Sequence, residues 1–407
     1  MRLLSAPWVV PIAVAPLREG ALLVDAGGEV VAVGPRSELR RRYVHAPEER
    51  GAGALLPGLV NAHTHLELAA LAGAVPGGDG LVAWATALMR ALGGADIGGR
   101  VSRARIAEAA AAAASAGTAA VGDVGNSLIA APCIGRAGLR GTLFHELIGS
   151  REAKTGDALA DAARELAEGD HGTWPEGLRY VTAPHAPYSV GPDLLRRIFS
   201  AVGRRRLPTT IHVAEDPDEI ALLRDGGGRW PAVLAAMGVE VASRVPRLGP
   251  LAYLASLGAF DTAAPPMLVH MVHAAPEDLQ IAARAGSTVV LCPRSNLHIG
   301  GQLPDVEAML AAGVPLALGT DSLASAPDVS LWGEMALLSA RFPQLPAMRW
   351  LEAATRGGAE ALRLSSFGVL AAGKRPGVID VSLDDLEAPL ESLVRNPSPT
   401  VRWMVRP

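Results

Sequence analysis

Three histidines and one aspartate sit where the sequence predicts β-strands to end: His63 and His65 in PGLVNAHTHLE, His212 in TTIHVAED, and Asp321 in PLALGTDSLAS. Side chains alternate across a strand, so His63 and His65 point to one side and can offer two imidazole nitrogens to a single ion. A lone HxH pair is weak, because two polar residues on a solvated strand face make the same pattern. Here the pair follows Ala54-Leu55-Leu56 and Pro57-Gly58-Leu59-Val60, an apolar run that predicts a buried strand. Buried imidazoles need partners. Three imidazoles and a carboxylate are enough to hold one divalent metal, and the chain therefore reads as a metal-dependent hydrolase. Such an ion lowers the pKa of a water it binds from about 15.7 toward ~7. Asp321 can ligate the ion and also accept a proton from the water.

The elements that must position these residues repeat as strand then helix. Apolar runs rich in Val, Leu and Ile predict strands over 54–62, 118–123, 140–146, 178–184, 208–213, 267–272, 287–292 and 315–320. Segments with helical spacing lie between them, over 103–116, 158–167, 192–202, 276–285 and 306–312. Eight strands alternating with helices predict an α/β fold, a (β/α)8 TIM barrel, whose active residues sit at the C-terminal strand ends. The chain ends differ in texture. Ala21–Asp25 and Val30–Gly34 read as a hairpin, and Val378–Val381 and Val401–Val405 look similar. A small β-sandwich domain built from residues 1–53 and 370–407, flanking a barrel over 54–369, is the expectation.

Composition bounds the partners. The 407 residues are 49% hydrophobic, enough for a large core. Thirty-seven basic against 41 acidic residues give a net charge of −4, and no basic run invites nucleic acid or a membrane surface. The partner expected is a small-molecule substrate, with a homo-oligomer left open. Cys133 and Cys292 are too few for a disulfide framework, which predicts a cytoplasmic protein. The apolar N-terminal run imitates a signal peptide, but Pro7 and Pro11 interrupt it and it reads as strand. No run of ~18 apolar residues predicts a membrane helix.

With PGLVNAHTHLE, HVAE, LVHMVH, CPRSN and LGTDS in order, the chain resembles the amidohydrolase superfamily, in the branch of mononuclear aromatic deaminases and chlorohydrolases. HTHLEL, Leu81-Val82-Ala83-Trp84, CPRSN and GTDSLAS look most similar to the 6-aminodeoxyfutalosine deaminases of menaquinone synthesis. The resemblance implies that His63, His65, His212 and Asp321 bind the metal, that Glu215 shuttles protons, and that His270 assists water and substrate. Glu215 lies three residues past His212, where the chain leaves its strand and can bring a carboxyl over the metal. Binuclear relatives bridge two ions with a carboxylated lysine at the end of strand four. This chain has only Lys154 and Lys374, and strand four ends in Pro184-His185. One ion follows, zinc by family habit, with iron(II) suiting the same donors.

The reaction implied is hydrolytic deamination of a purine nucleoside-like substrate, 6-aminodeoxyfutalosine first, with release of ammonia. Adenosine or S-adenosylhomocysteine deamination, guanine deamination and triazine-type hydrolysis are the alternatives. An inactive barrel scaffold is disfavoured by the complete ligand set. His185, Arg294 and Ser295 are expected to read the sugar substituent. Trp84 could form a wall for the purine ring, although a helical tryptophan is more often core. Asp216, Asp218 and Glu219 read as surface carboxylates that start a helix. His273 reads as structural, His45, His171 and His298 as surface or loop residues. The roles of His145, Glu146 and Asn296 stay open.

Overall fold

A computed structural model of the chain describes residues 1–94, 100–149 and 174–407. The helix expected over 158–167, with Lys154 and His171, lies outside the described residues.

Eight parallel strands form the centre. Strands β1 (Leu59–Thr64), β2 (Thr118–Gly125), β3 (Arg140–Leu147) and β4 (Leu178–Pro184) pair in that order. So do β5 (Thr210–Val213), β6 (Met267–His270), β7 (Val289–Leu291) and β8 (Leu316–Leu318). The two sets meet at both edges. Thr64 and Asp321 form a parallel bridge just past β8, and the His212 amide donates to the His185 carbonyl at 2.9 Å between β4 and β5. The result is the expected barrel. Most of its strands are buried along their length, and β1, β2, β5 and β6 are buried at every position. This is why they appear in the sequence as continuous apolar runs rather than alternating ones. Helices such as Arg100–Ser115, Pro192–Arg204, Pro276–Ala285 and Val306–Ala311 fall where the helical spacing put them.

Both chain ends contribute to one seven-stranded sheet, with strands at Arg2–Val9, Leu17–Val24, Val30–Pro35, Glu48–Arg50, Ala54–Pro57, Val378–Val381 and Val401–Val405. A short helix, Pro389–Arg395, interrupts the C-terminal contribution. The strand expected over 54–62 is two strands. Ala54–Pro57 pairs with Val378–Val381 in the flanking sheet, and only Leu59–Thr64 enters the barrel. The break is Gly58, where a Cβ would stand 2.6 Å from the Ala119 Cβ and 2.9 Å from the Pro376 carbonyl oxygen. An apolar run crossing from one core to another carries no period change that would mark this division.

Candidate active site

His63 lies in β1 and His65 one residue beyond it, His212 lies in β5, and Asp321 lies three residues past β8. Their side chains converge. His212 Nε2 is 3.3 Å from His63 Nε2 and 3.2 Å from His65 Nε2. Asp321 Oδ1 is 3.9 and 3.8 Å from the same two atoms of His63 and His65.

Local backbone geometry produces this convergence. Asp321 has φ of 54°, a left-handed conformation uncommon for a residue with a side chain. It is held by three bonds: its amide donates to the His63 carbonyl at 3.2 Å, and its carbonyl accepts from the His65 amide at 3.4 Å and from Thr64 Oγ1 at 3.0 Å. Ala214, His270 and Met271 also have positive φ, so the backbone is re-aimed at three strand ends around one point. Gly319 permits the close approach of β8 to β1, since a Cβ there would stand 2.7 Å from the His63 carbonyl oxygen. Asn61 pins the same junction, donating to Thr320 Oγ1 at 2.8 Å and accepting from the His63 amide at 3.3 Å.

Burial sets the protonation states. It pushes the His63 imidazole well below its ordinary range, helped by the neighbouring imidazoles, and takes His65 down to about 4 and His270 to about 3. Neutral imidazoles keep a lone pair for a metal. Burial alone would raise Asp321, but the His65 and His270 rings and the Ser295 hydroxyl outweigh it, and the carboxylate is held below its ordinary range. Glu215 moves the other way: burial first, then the Asp321 charge, push it well above the usual carboxylate range. It can therefore hold a proton at neutral pH.

The donor set fits a divalent ion. Ligands about 2.0–2.1 Å from a tetrahedral zinc stand about 3.3 Å apart, and the two Nε2 separations at His212 are 3.3 and 3.2 Å. His212 Nδ1 lies 3.0 Å from the His185 carbonyl oxygen, which fixes the proton on Nδ1 and leaves Nε2 as a lone pair. Like-signed lone pairs packed this closely have no attraction of their own, and a cation supplies it.

Glu215 Oε2 lies 3.5 Å from His270 Nε2. Its backbone amide, and that of Ala214, donate to Glu219 at 3.1 and 3.0 Å. Asn296 Nδ2 lies 2.9 Å from His270 Nδ1 and orients that ring. His273, half-buried, donates its amide to Ala214 and stands outside the cavity lining.

A cavity of about 600 Å³ opens over these groups. His185 and Trp84 line it, as the sequence suggested, and Trp84 is 9% exposed with an indole N–H that has no partner. Arg294 and Ser295, expected to read substrate, are placed elsewhere. The Arg294 guanidinium is tied to Glu334 at 2.7 Å, to Asp328 at 2.8 Å and to the Ser330 carbonyl at 2.9 Å. Ser295 is fully buried, and its hydroxyl donates to Asp321 Oδ2 at 2.5 Å. On their helix, Pro293–Gly300, Ser295 faces Asp321 while Arg294, one residue earlier, is turned toward Glu334. Asp216 and Glu219 do start a helix, Pro217–Asp225, but they are buried, not surface groups: Asp216 caps it and accepts from the Leu81 amide at 2.8 Å. The exposed His298 lies on a helix, not a loop, with its ring 3.1 Å from the Val75 carbonyl.

Glu67, Asn126 and Glu146 also line the cavity. Sequence reasoning assigned none of them a role, although Glu67 stands out as an acid inside the apolar stretch that follows HTH.

The sequence profile of the amidohydrolase family matches residues 54–401. The chain is 37% identical over 349 residues to the aminodeoxyfutalosine deaminase of Deinococcus radiodurans, covering 83% of this chain and 80% of that one. It is 30% identical to the 5-methylthioadenosine/S-adenosylhomocysteine deaminase of Halobacterium salinarum, covering 91% and 81%. Among solved structures, Helicobacter pylori aminofutalosine deaminase in complex with methylthio-coformycin superposes with a TM-score of 0.87 at 23% identity, over 100% of this chain and 98% of that one. An adenosine deaminase from Xanthomonas campestris with bound zinc superposes at 0.77 with 27% identity, over 98% and 91%. The profile match, the barrel and the convergent histidines agree: the chain belongs to the amidohydrolase family.

Proposed function

We propose that this enzyme hydrolytically deaminates the 6-amino group of an adenine nucleoside carrying a large 5′ substituent, with 6-aminodeoxyfutalosine as the preferred substrate, a step of menaquinone synthesis. One divalent ion, zinc, is held by His63, His65, His212 and Asp321; the zinc of the Xanthomonas relative supports that choice. When bound, the ion supplies hydroxide at neutral pH.

The observation that carries the reading is Glu215, a buried carboxyl driven toward its protonated form beside the metal-ligand set. Its proton goes to N1 of the purine, which makes C6 electrophilic. Asn296 faces Nδ1 of His270, so the neutral ring presents Nε2–H toward the oxygen arriving at C6. Asp321, held ionised, accepts the proton that water gives up. A C6–O bond forms; Glu215, ionised after protonating N1, takes the proton left on that oxygen and passes it to the amino group as the C6–N bond breaks and ammonia leaves, and the proton on Asp321 then returns to Glu215. The product is the hypoxanthine analogue.

A second reading, 5′-methylthioadenosine, is favoured by the apolar part of the cavity lining. Leu88, Leu92, Trp230, Leu234 and Met237 line it, and among the described residues no Lys or Arg does. An uncharged apolar 5′ group suits that wall.

Zinc-loaded protein assayed for ammonia release tests these readings. The expected order is 6-aminodeoxyfutalosine first, ahead of 5′-methylthioadenosine, adenosine and S-adenosylhomocysteine, with one ion per chain by elemental analysis; 5′-methylthioadenosine first would favour the second reading. Equal or better turnover of guanine or a chlorinated triazine would overturn the substrate assignment, and two tightly held ions would overturn the mononuclear centre.

A further inference from the structure

Besides its apolar residues, the cavity lining carries Asn126 and Glu146, two side chains with an oxygen free to accept a hydrogen bond. Asn126 follows β2 and Glu146 is the penultimate residue of β3, and the two strands pair side by side up to Gly125 and His145. Asn126 Nδ2 donates to Glu146 Oε2 at 3.1 Å and to the Glu146 carbonyl at 3.2 Å. The backbone carbonyl only accepts, so the amide orientation is fixed and Asn126 Oδ1 faces away from it. Asn126 is solvent-exposed on the cavity wall, and its backbone amide is held by Glu67 Oε1 at 2.6 Å. Glu146 is 6% exposed, and its Oε1 has no hydrogen-bond partner. The nearest ring nitrogen, His212 Nδ1, is 3.5 Å away, and its proton is directed to the His185 carbonyl at 3.0 Å. A buried acceptor left unfilled is destabilising, and a ligand hydroxyl relieves it.

We propose that Asn126 and Glu146 read the ribose of the substrate, accepting hydrogen bonds from its 2′ and 3′ hydroxyls. Two neighbouring acceptors match the two donors of a vicinal diol. The site thus takes ribonucleosides in preference to 2′- or 3′-deoxynucleosides. This assignment rests on the deaminase reading above and adds residues to it.

The test compares adenosine, 2′-deoxyadenosine and 3′-deoxyadenosine with zinc-loaded enzyme, by kcat/KM or, for a nucleoside that is not turned over, by its inhibition constant against 6-aminodeoxyfutalosine. Wild type is expected to lose roughly 2- to 10-fold for each missing hydroxyl, the range for a hydrogen bond between neutral groups. In Glu146→Leu, and independently in Asn126→Ala, the ratio for one of the two hydroxyls should fall toward 1 while metal content stays unchanged. A wild-type ratio near 1 overturns the proposal. So does a variant that slows all three nucleosides by one common factor, because that is the signature of Glu146 acting only through His212. Absence of both turnover and competition for every adenine nucleoside, 6-aminodeoxyfutalosine included, would instead overturn the deaminase reading.

Discussion

Ser295→Ala separates a residue that holds the metal site from one that touches substrate. The Ser295 hydroxyl donates to Asp321 Oδ2 at 2.5 Å, inside a fully buried pocket that water does not refill. A hydrogen bond to an ionised acceptor contributes about 1.5–3 kcal/mol. Ser325 Oγ lies 3.3 Å from the same carboxylate oxygen and 2.8 Å from Ser295 Oγ, so once Ser295 no longer competes it can supply a replacement bond. The net loss then falls at the lower end, about 1.5 kcal/mol, or roughly tenfold. Because Asp321 is the group affected, the loss should appear as about tenfold weaker metal retention in a chelator competition, with KM of the metal-saturated enzyme near wild type. Ser295→Ala combined with Ser325→Ala should weaken retention by a further factor of about ten. Unchanged metal affinity with a raised KM would refute this reasoning and return Ser295 to the substrate contact that its place after strand seven first suggested.

Glu215→Gln should keep the metal and lose about 10²- to 10⁴-fold in kcat, the range for a positioned acid–base group, because the amide fills the same space but carries no transferable proton; near-normal turnover would remove Glu215 from the mechanism. Arg294→Met should leave KM unchanged while costing about 3–5 kcal/mol in urea unfolding, since it strands the fully buried Glu334 carboxyl without its cation. A KM effect without a stability loss would contradict the structural role. Burial holds Glu219 at about 8, above its ordinary 4.5, so across that window the native state binds a proton that the unfolded state has released, and the stability contributed by this group is lost as pH rises. The Tm advantage of wild type over Glu219→Gln should accordingly shrink between about pH 5 and about pH 9; an advantage that grows would refute the assignment.

The strand–helix alternation and the positions of His63, His65, His212 and Asp321 were legible in the chain because strands buried on both faces leave continuous apolar runs, and polar residues closing such runs stand out. Glu215 and His270 were legible through family motifs, and both line the cavity with His65, His212 and Asp321. Other features depended on contacts between segments distant in sequence. Gly58 divides an unbroken apolar run because Ala119 and Pro376 crowd it, and neither neighbour is local. Arg294 and Ser295 looked like substrate donors by position, yet the rotation of their helix gives Arg294 to Glu334 and Ser295 to Asp321. Glu219 sat in an acidic run that resembled a solvated helix start, and tertiary packing turned it inward to hold the backbone of Glu215. Glu146 was legible only as a residue closing strand three that could reach the pocket, and Asn126 had no motif at all. Sequence by itself determined which residue types end each strand, since that follows from local apolar patterning. Which of the neighbouring polar groups face the cavity and which face the barrel wall was decided by the tertiary structure alone, because the direction of a side chain past a strand end depends on backbone turns that only packed, non-local partners can hold.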